Sequence, residues 1–303
     1  MTAPSPVRAA MRLLQTASPA LAARVAERLF FTPPRTAATP DVRAFLALGR
    51  RRDLHVDGRR VVTWSRGEGP LVYLVHGWGG RGGRLQHVAT PLLEAGYGVV
   101  WFDAPGHGEA GRGMSSMPEF ARALLAVART YGPAHAVVSH SLGGAATALA
   151  AHWGLDARRF VFLAPPVNPA AWVIPFADAL GLRGDVLDRL RARSERRLRI
   201  RWTDLDVPAI AARMMRPLLV AHDRDDATVP WLDGATIADA WPGARLLTTS
   251  GLGHRGVIRD AAVVKEVVRF VSEGRPAGRP LGGRDEAERL EQELFNPDLR
   301  RAG

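Results

Sequence analysis

The stretch Ala136-Val137-Val138-Ser139-His140-Ser141-Leu142-Gly143-Gly144 decides the fold of this chain. It begins as an apolar run of the β type, passes through a turn of small residues and continues as an alanine-rich segment typical of a helix. A nucleophile elbow exposes a serine on such a turn and needs small residues two positions before and two after it. Ser139 and Gly143 meet that need around Ser141, although glycine is more usual at the first position. The stretch alone also fits an ordinary turn, so its context must decide.

Length and composition predict one large globular domain. The 303 residues are 47% hydrophobic and 23% charged, which is typical of a globular protein with a sizeable core, and a single α/β domain with an inserted cap is the simplest organisation. The chain has no cysteine. Disulfides, thiolate metal sites and a cysteine nucleophile are therefore excluded.

The formal net charge of +11 first suggests a nucleic-acid or anionic-membrane partner. The basic residues are almost all arginine, with Lys265 as the single lysine, a bias that fits high-GC codon usage better than selection for phosphate contacts. We therefore expect a solvated basic surface and no nucleic-acid partner. No run of ~18 apolar residues is present, and arginines interrupt the apolar N-terminal part, so we expect a cytoplasmic protein.

Buried strand patterns alternate with helical patterns over most of the chain. This alternation predicts a doubly wound, mostly parallel sheet covered on both faces. Residues 1–50 form a predicted helical arm, 51–273 the α/β domain, and 167–216 a helical cap with a dense arginine run. A linker and a short charged helix at 284–294 are expected within 274–303. The amphipathic arm packs on the domain in the simplest interpretation; contact with lipid or cover over a substrate entrance are the alternatives.

Chemistry-bearing side chains follow three of the predicted strands. Ser141 follows one, a loop with Asp223, Asp225 and Asp226 follows another, and His254 follows the last. The carboxyl ends of parallel strands meet at one edge of a sheet, where ligands bind. A serine nucleophile needs a histidine base and an acid that orients the histidine, and all three residue types are available at that edge.

Several motifs, in this order along the chain, resemble those of the α/β-hydrolase family. They are the His-Gly-x-x-Gly loop at 76–80, the turn at 103–108, the elbow at 139–143, the Asp-x-x-Val-Pro segment at 226–230 and the Gly-x-Gly-His loop at 251–254. The resemblance covers roughly residues 53–273 and is similar to the lysophospholipase and serine-aminopeptidase branch. It implies an α/β-hydrolase fold with an inserted helical cap.

The resemblance also implies a set of site residues. The family order of nucleophile, acid and histidine assigns Ser141 as nucleophile, Asp226 as orienting acid and His254 as base, with Asp226 favoured over the neighbouring aspartates by its spacing to the Val-Pro pair. The amides of Trp78 and Leu142 are the expected oxyanion hole. The Trp78 side chain is expected to contact substrate, and so is His140, otherwise a packed residue at the start of the helix. No cofactor and no metal are expected.

These residues predict a serine hydrolase that acts on a small carboxylic ester through an acyl-enzyme. Apolar residues in the cap favour an apolar acyl group. The same triad could serve an acyltransferase or a peptidase, and a binding protein on this scaffold remains a rival because one fold hosts many functions. Peripheral membrane contact and the oligomeric state stay open.

Overall fold

An eight-stranded sheet forms the centre of the computed structural model, which describes residues 4–274. The strands are β1 (Arg50–Val56), β2 (Arg59–Arg66), β3 (Leu71–Val75), β4 (Gly98–Asp103), β5 (Ala134–His140), β6 (Ala157–Leu163), β7 (Leu218–Asp223) and β8 (Arg245–Thr249). Their order across the sheet is β1-β2-β4-β3-β5-β6-β7-β8. The pairs β4–β3, β3–β5, β5–β6, β6–β7 and β7–β8 are parallel. The pairs β1–β2 and β2–β4 are antiparallel. The predicted mostly parallel sheet is confirmed.

Twelve helices flank the sheet within the described residues. They are α1 (Ser5–Ala17), α2 (Pro19–Phe30), α3 (Pro40–Ala47), α4 (Gln86–Glu94), α5 (Met117–Tyr131), α6 (Leu142–His152), α7 (Val173–Leu180), α8 (Gly184–Leu198), α9 (Val207–Ala211), α10 (Trp231–Ala240), α11 (Gly253–Gly256) and α12 (Ala261–Ser272).

Both faces of the sheet are covered, as its continuous apolar strands require. Successive side chains of a strand point to opposite faces, and Val137 and Val138 of β5 accordingly belong to different core clusters. The Val137 cluster contains buried residues of α5, α6 and α10, whereas the Val138 cluster contains buried residues of α3, α4 and α12. This arrangement is a doubly wound α/β-hydrolase fold.

Sequence-local signals explain where the N-terminal helices begin and end. The Ser18 hydroxyl accepts a hydrogen bond from the Leu21 amide and caps α2, and Pro19 occupies the first helical position. Ser18 and Pro19 thus separate α1 from α2.

The segment between β6 and β7, residues 164–217, holds α7, α8 and α9 and is called the insert below. Helix α2 packs on α8, and one carboxylate joins them. The Glu27 side chain, only 5% exposed, accepts hydrogen bonds from Arg193 Nε at 2.9 Å and Arg197 Nε at 3.0 Å. The Arg197 guanidinium also lies 4.7 Å from the centre of the Phe31 ring. The N-terminal helices are therefore held against the insert.

We expect Glu27→Ala to destabilise the protein by about 1–3 kcal/mol, because it leaves Arg193 without an acid and Arg197 with only the longer contact to Glu119 at 3.7 Å. The loss should be smaller than that of a fully buried pair, since both arginines reach water. Thermal unfolding checks this, with Asp188→Ala as the control. Asp188 forms an exposed pair with Arg191, and its loss should change stability by less than about 0.5 kcal/mol. Equal effects of the two substitutions would contradict the prediction.

The arginine run of the insert is largely paired. Besides the two contacts with Glu27, Arg191 pairs with Asp188 and Arg201 with Asp204. Within the part of the chain that the structure describes, no helix combines the length and hydropathy that crossing a membrane requires. The predicted helix at 284–294 lies outside the described residues.

Candidate active site

Ser141 occupies a strained turn between β5 and α6. Its backbone angles are φ 54° and ψ −127°, a region that residues with a side chain rarely adopt. The Ser141 amide donates to the Leu163 carbonyl of β6 at 2.9 Å, which fixes the turn against the neighbouring strand. The sequence predicted this strand-turn-helix unit, and the strain is concentrated at the serine.

Close backbone packing explains the small residues around the turn. A Cβ atom at Gly143 would lie 2.6 Å from the Val75 carbonyl oxygen, and one at Gly77 would lie 2.8 Å from Ser141 Cβ. Ser139 lies within β5, and its hydroxyl is 2.7 Å from that of Thr147 in α6. Serine can take the place of the more usual glycine there because the backbone at this position is not left-handed. Its hydroxyl also links β5 to α6.

The Asp226 carboxylate lies in the loop after β7 and contacts the imidazole of His254. His254 Nδ1 is 2.7 Å from Asp226 Oδ2, while Oδ1 accepts the amides of Thr228 at 2.8 Å and Val229 at 2.9 Å. This arrangement holds the carboxylate plane in place and points one oxygen at the histidine.

Asp223 and Asp225 have different contacts. Asp223 is buried at the end of β7 and accepts hydrogen bonds from the Thr249 hydroxyl and from the amides of Leu252 and Gly253. It thereby fixes the loop that carries His254. Asp225 is exposed and accepts the Gly251 amide at 2.7 Å. Of the three aspartates, Asp226 is the one that contacts His254.

The pKa of Asp226 lies well below that of a free aspartate. Burial alone would raise it, but hydrogen bonds from His222 and His254, followed by the Val229 amide, stabilise the charged form more strongly. Asp226 therefore stays ionised throughout the neutral range and stabilises a positive charge on His254.

Ser141, His254, Trp78 and Leu142 line one cavity of about 1070 Å³. The described residues show no hydrogen bond between the Ser141 hydroxyl and His254. Such contacts are often long in enzymes without substrate and shorten when substrate binds.

Trp78 and Leu142, whose amides are the expected oxyanion hole, line the same cavity. Leu142 is the first residue of α6, so its N–H has no acceptor within the helix. Two buried histidines fix the backbone of the loop that carries Trp78. His76 Nε2 accepts the Ala104 amide at 3.1 Å, and His107 Nε2 accepts the Gly79 amide at 3.1 Å.

Comparison with known proteins agrees with this geometry. The family model Hydrolase_4, described as serine aminopeptidase S33, matches residues 69–240, which is more than half of the chain. The chain belongs to this family of α/β hydrolases. A second family model, described as TAP-like protein, matches residues 203–280 of the hydrolase.

Individual relatives of this α/β hydrolase are distant. The protein named "Putative carbamate hydrolase RutD" of Variovorax paradoxus (strain S110) is 27% identical over 259 residues, which are 70% of this chain and 96% of that protein. A hydrolase of Pseudomonas aeruginosa PA01 is similar in structure with a TM-score of 0.59 and 21% identity, covering 75% of this chain and 99% of that one. The esterase EaEST of Exiguobacterium antarcticum has a TM-score of 0.58 and 15% identity, covering 74% and 100%. At these identities the solved structures show the fold alone.

Three buried histidines of the hydrolase make its stability depend on pH. Burial lowers the pKa of His76 to about 4 and those of His107 and His140 to about 3. The unfolded chain takes up these protons near pH 6.5, whereas the folded hydrolase takes them up only near pH 4 or 3. Their stabilising contribution is therefore complete above pH 6.5 and is lost progressively as the pH falls from about 6.5 to the folded pKa values.

When the pH is lowered from 7.5 to 5, we expect each of these histidines to reduce the free energy of unfolding by about 2 kcal/mol, as measured by urea unfolding. In His107→Gln the amide oxygen can still accept the Gly79 amide, but the side chain cannot take up a proton. The loss over the same pH interval should therefore be about 2 kcal/mol smaller than in the unsubstituted hydrolase. The same pH dependence in both proteins would show that His107 does not contribute.

The structure places His140 beside the catalytic histidine candidate. The rings of His140 and His254 are 4.8 Å apart, and His140 Nε2 is 2.9 Å from the His254 carbonyl oxygen. His140 is 9% exposed and lines the cavity of the hydrolase. It therefore supports the backbone of His254 and also borders the cavity in which substrate contact is expected.

A contact of His222 was not foreseen. In sequence, the strand-end position of His222 favours a packing role over that of a base, but its Nε2 lies 3.3 Å from Asp226 Oδ2 and 3.1 Å from the Val229 carbonyl oxygen. Asp226 thus contacts two imidazoles. The only sequence signal for this contact is the position of His222, four residues before Asp226 at the end of the same strand.

The cavity walls of the hydrolase come from distant parts of the chain. The end of α2 contributes Leu29 and Phe30, and the insert contributes Trp172, Pro175 and Phe176. The Phe30 and Phe176 rings are 5.1 Å apart and join the two segments directly. The interpretation that the N-terminal helices cover a substrate entrance agrees with these contacts.

Proposed function

We propose that this α/β hydrolase cleaves carboxylic esters of small molecules through an acyl-enzyme on Ser141. The observation that carries the proposal is the 2.7 Å contact between His254 Nδ1 and Asp226 Oδ2, beside a cavity that a half-buried serine on a strained turn also lines. A nucleophilic hydroxyl, a base and an orienting acid are what acyl transfer by a serine requires.

In the proposed mechanism, His254 Nε2 takes the proton of Ser141 Oγ while Oγ attacks the ester carbonyl carbon. The C=O bond becomes a C–O⁻ single bond, and the amides of Trp78 and Leu142 donate to this oxyanion. His254 then donates its proton to the leaving alkoxide as the carbonyl re-forms, which gives the alcohol and an acyl-enzyme.

Deacylation repeats these steps with water as the nucleophile. His254 takes a proton from water, hydroxide adds to the acyl carbon, and collapse of the intermediate returns the proton to Ser141 and releases the acid. Asp226 keeps the imidazole in one tautomer and stabilises its positive charge throughout.

The aromatic and proline side chains on one side of the cavity support an apolar acyl group, as the sequence predicts. The name of the Variovorax paradoxus relative refers to carbamates, and a carbamate offers the same attack on a carbonyl carbon. Esters are the simplest substrates with that chemistry. Peripheral membrane contact stays a prediction.

A p-nitrophenyl ester series of increasing acyl length tests the proposal, combined with labelling by a fluorophosphonate and peptide mapping. We expect hydrolysis with a preferred chain length and the label on Ser141. An absence of both ester cleavage and labelling would overturn the proposal and favour the binding-protein alternative. Faster product formation with an added alcohol acceptor would identify an acyltransferase instead, and cleavage of peptide amides with no ester cleavage would identify a peptidase.

A further inference from the structure

Four arginines line one wall of the cavity that contains Ser141. Arg81 and Arg84 lie just after the loop of Trp78, and Arg255 and Arg259 lie just after His254. Helices α4 and α12, which begin just after these two segments, pack against each other and bring the segments together although they are far apart in the sequence.

None of the four guanidiniums has a carboxylate within 4 Å among residues 4–274. Many arginines elsewhere in the described chain do have one: Arg51, Arg59, Arg60, Arg122, Arg159, Arg183, Arg191, Arg193, Arg197, Arg201, Arg216, Arg245 and Arg269. Other arginines of the described chain also lack such a carboxylate, so what distinguishes these four is that they line one cavity together and that the other three lower the pKa of Arg84.

The hydrogen bonds of these four arginines leave their positive charge uncompensated. Arg84 donates to the Thr36 hydroxyl at 2.7 Å, and Arg81 donates to the Thr36 carbonyl. Arg81 Nε is buried without an acceptor in the described structure. Burial lowers the pKa of Arg84, and the like charges of Arg255, Arg81 and Arg259 lower it further. The positive charges of Arg81, Arg255 and Arg259 thus all act on Arg84.

One acidic side chain, Asp41, borders the same wall. Gln86 Nε2 donates to its carboxylate at 3.3 Å. The pKa of Asp41 is lowered first by a hydrogen bond from its own backbone amide, then by Thr39 and Gln86, and least by the charge of Arg259. Within residues 4–274, Asp41 forms no ion pair within 4 Å with any of the four arginines. One carboxylate and four guanidiniums leave a net positive wall. The other side of the cavity, with Phe30, Trp172 and Phe176, is apolar.

We propose that the substrate carries an anionic oxygen group, a carboxylate or a phosphate, that binds this arginine wall. The proposal rests on the proposed function, because the anion would be a second group on the molecule whose ester is cleaved. A guanidinium binds carboxylate and phosphate oxygens through two parallel hydrogen bonds, and a partly enclosed cavity strengthens such contacts. The bound anion also relieves the repulsion among the four cations, and the apolar wall accommodates the carbon chain.

Binding is tested first, since it does not depend on catalysis. Calorimetric titration with hexyl phosphate, adipate and 1-hexanol compares two anions with a neutral molecule of similar chain length. We expect at least one anion to bind at least tenfold more tightly than the alcohol, and this preference to weaken at least tenfold in Arg84→Gln/Arg255→Gln and at high salt. Arg129→Gln, which removes an exposed charge on α5 outside the cavity, is the control and should keep the preference.

Kinetics then test the substrate class. Mono-p-nitrophenyl half esters from succinate to suberate are compared with neutral p-nitrophenyl esters from butanoate to octanoate, after subtraction of the rate without enzyme. For a carboxylate substrate we expect kcat/KM to be at least tenfold higher for the best half ester than for its neutral counterpart. The ratio should fall at least tenfold in the double variant.

The outcomes separate this proposal from the proposed function. Preferred binding of hexyl phosphate with no preference for half esters assigns a phosphate-bearing substrate, whereas preference for adipate and half esters assigns a carboxylate. Cleavage of neutral esters without anion preference in either experiment overturns the arginine proposal and leaves the esterase proposal intact. Arginine-dependent anion binding without ester cleavage or fluorophosphonate labelling overturns the esterase proposal and makes the wall an anion site of a binding protein.

Discussion

Replacement of Ser141 by alanine is expected to lower kcat for every ester that the protein cleaves by about 10⁴- to 10⁶-fold. In the proposed mechanism the hydroxyl on the strained turn is the nucleophile, and no other hydroxyl is assigned to the attack. Because the methyl group of alanine is smaller than the serine side chain, the substitution introduces no clash with Gly77 or with the neighbouring strand. The measurement is kcat by stopped assay over a wide range of enzyme concentration, with circular dichroism as a check of folding.

Ser139→Ala is the matched control for this experiment. Its hydroxyl bonds to Thr147 within the core, and Thr147 retains its hydrogen bond to the Gly143 carbonyl when Ser139 changes. We expect a stability loss of about 1 kcal/mol and little change in kcat. A Ser141→Ala protein that keeps more than a tenth of the activity would show that the hydrolysis does not pass through Ser141.

Asp226→Asn is expected to lower kcat by about 10⁴-fold, the loss known for the same substitution in a serine protease triad. The asparagine carbonyl can still accept the Thr228 and Val229 amides, which turns its NH₂ group toward His254. His254 Nδ1 must then accept a hydrogen bond, so the ring proton moves to Nε2. In that tautomer the imidazole cannot take the proton of Ser141.

The control for this substitution is Asp225→Asn, an exposed neighbour whose amide oxygen can still accept the Gly251 amide. We expect it to change kcat by less than threefold. Single-turnover measurements with a p-nitrophenyl ester report the acylation step directly for both variants. A loss of less than tenfold in Asp226→Asn would rule out its role in orienting His254.

The sequence predicts the local units of this molecule well. The apolar run before Ser141 is β5, and the alanine-rich run after it is α6, because strand and helix patterns depend on neighbouring residues. Motif spacing likewise assigned Asp226 rather than Asp223 to His254, and the structure puts that pair in contact. The ends of helices and strands differ from the predictions by a few residues, because packing and capping decide where each helix or strand ends.

Features that depend on long-range packing could not be predicted. The arginine wall joins residues 81–84 to residues 255–259, and their proximity follows from the packing of α4 on α12. The contact of Glu27 with α8 depends on how two amphipathic helices pack together. The sequence pattern shows which face of a helix is apolar but not which other element packs against that face. The second imidazole on Asp226 was missed because His222 is a strand-end residue with an ordinary apolar environment in sequence.

The docking of α2 on the insert limits which segments of this chain can be exchanged without changing its cavity. One side of the cavity is built from Phe30 and Phe176, which belong to two segments that meet through Glu27 and the arginines of α8. A chimera that inherits the insert of another family member without its N-terminal helix loses this carboxylate-arginine match together with the aromatic pair. A chimera of this chain therefore keeps that side of its cavity only when the N-terminal helix and the insert are exchanged together.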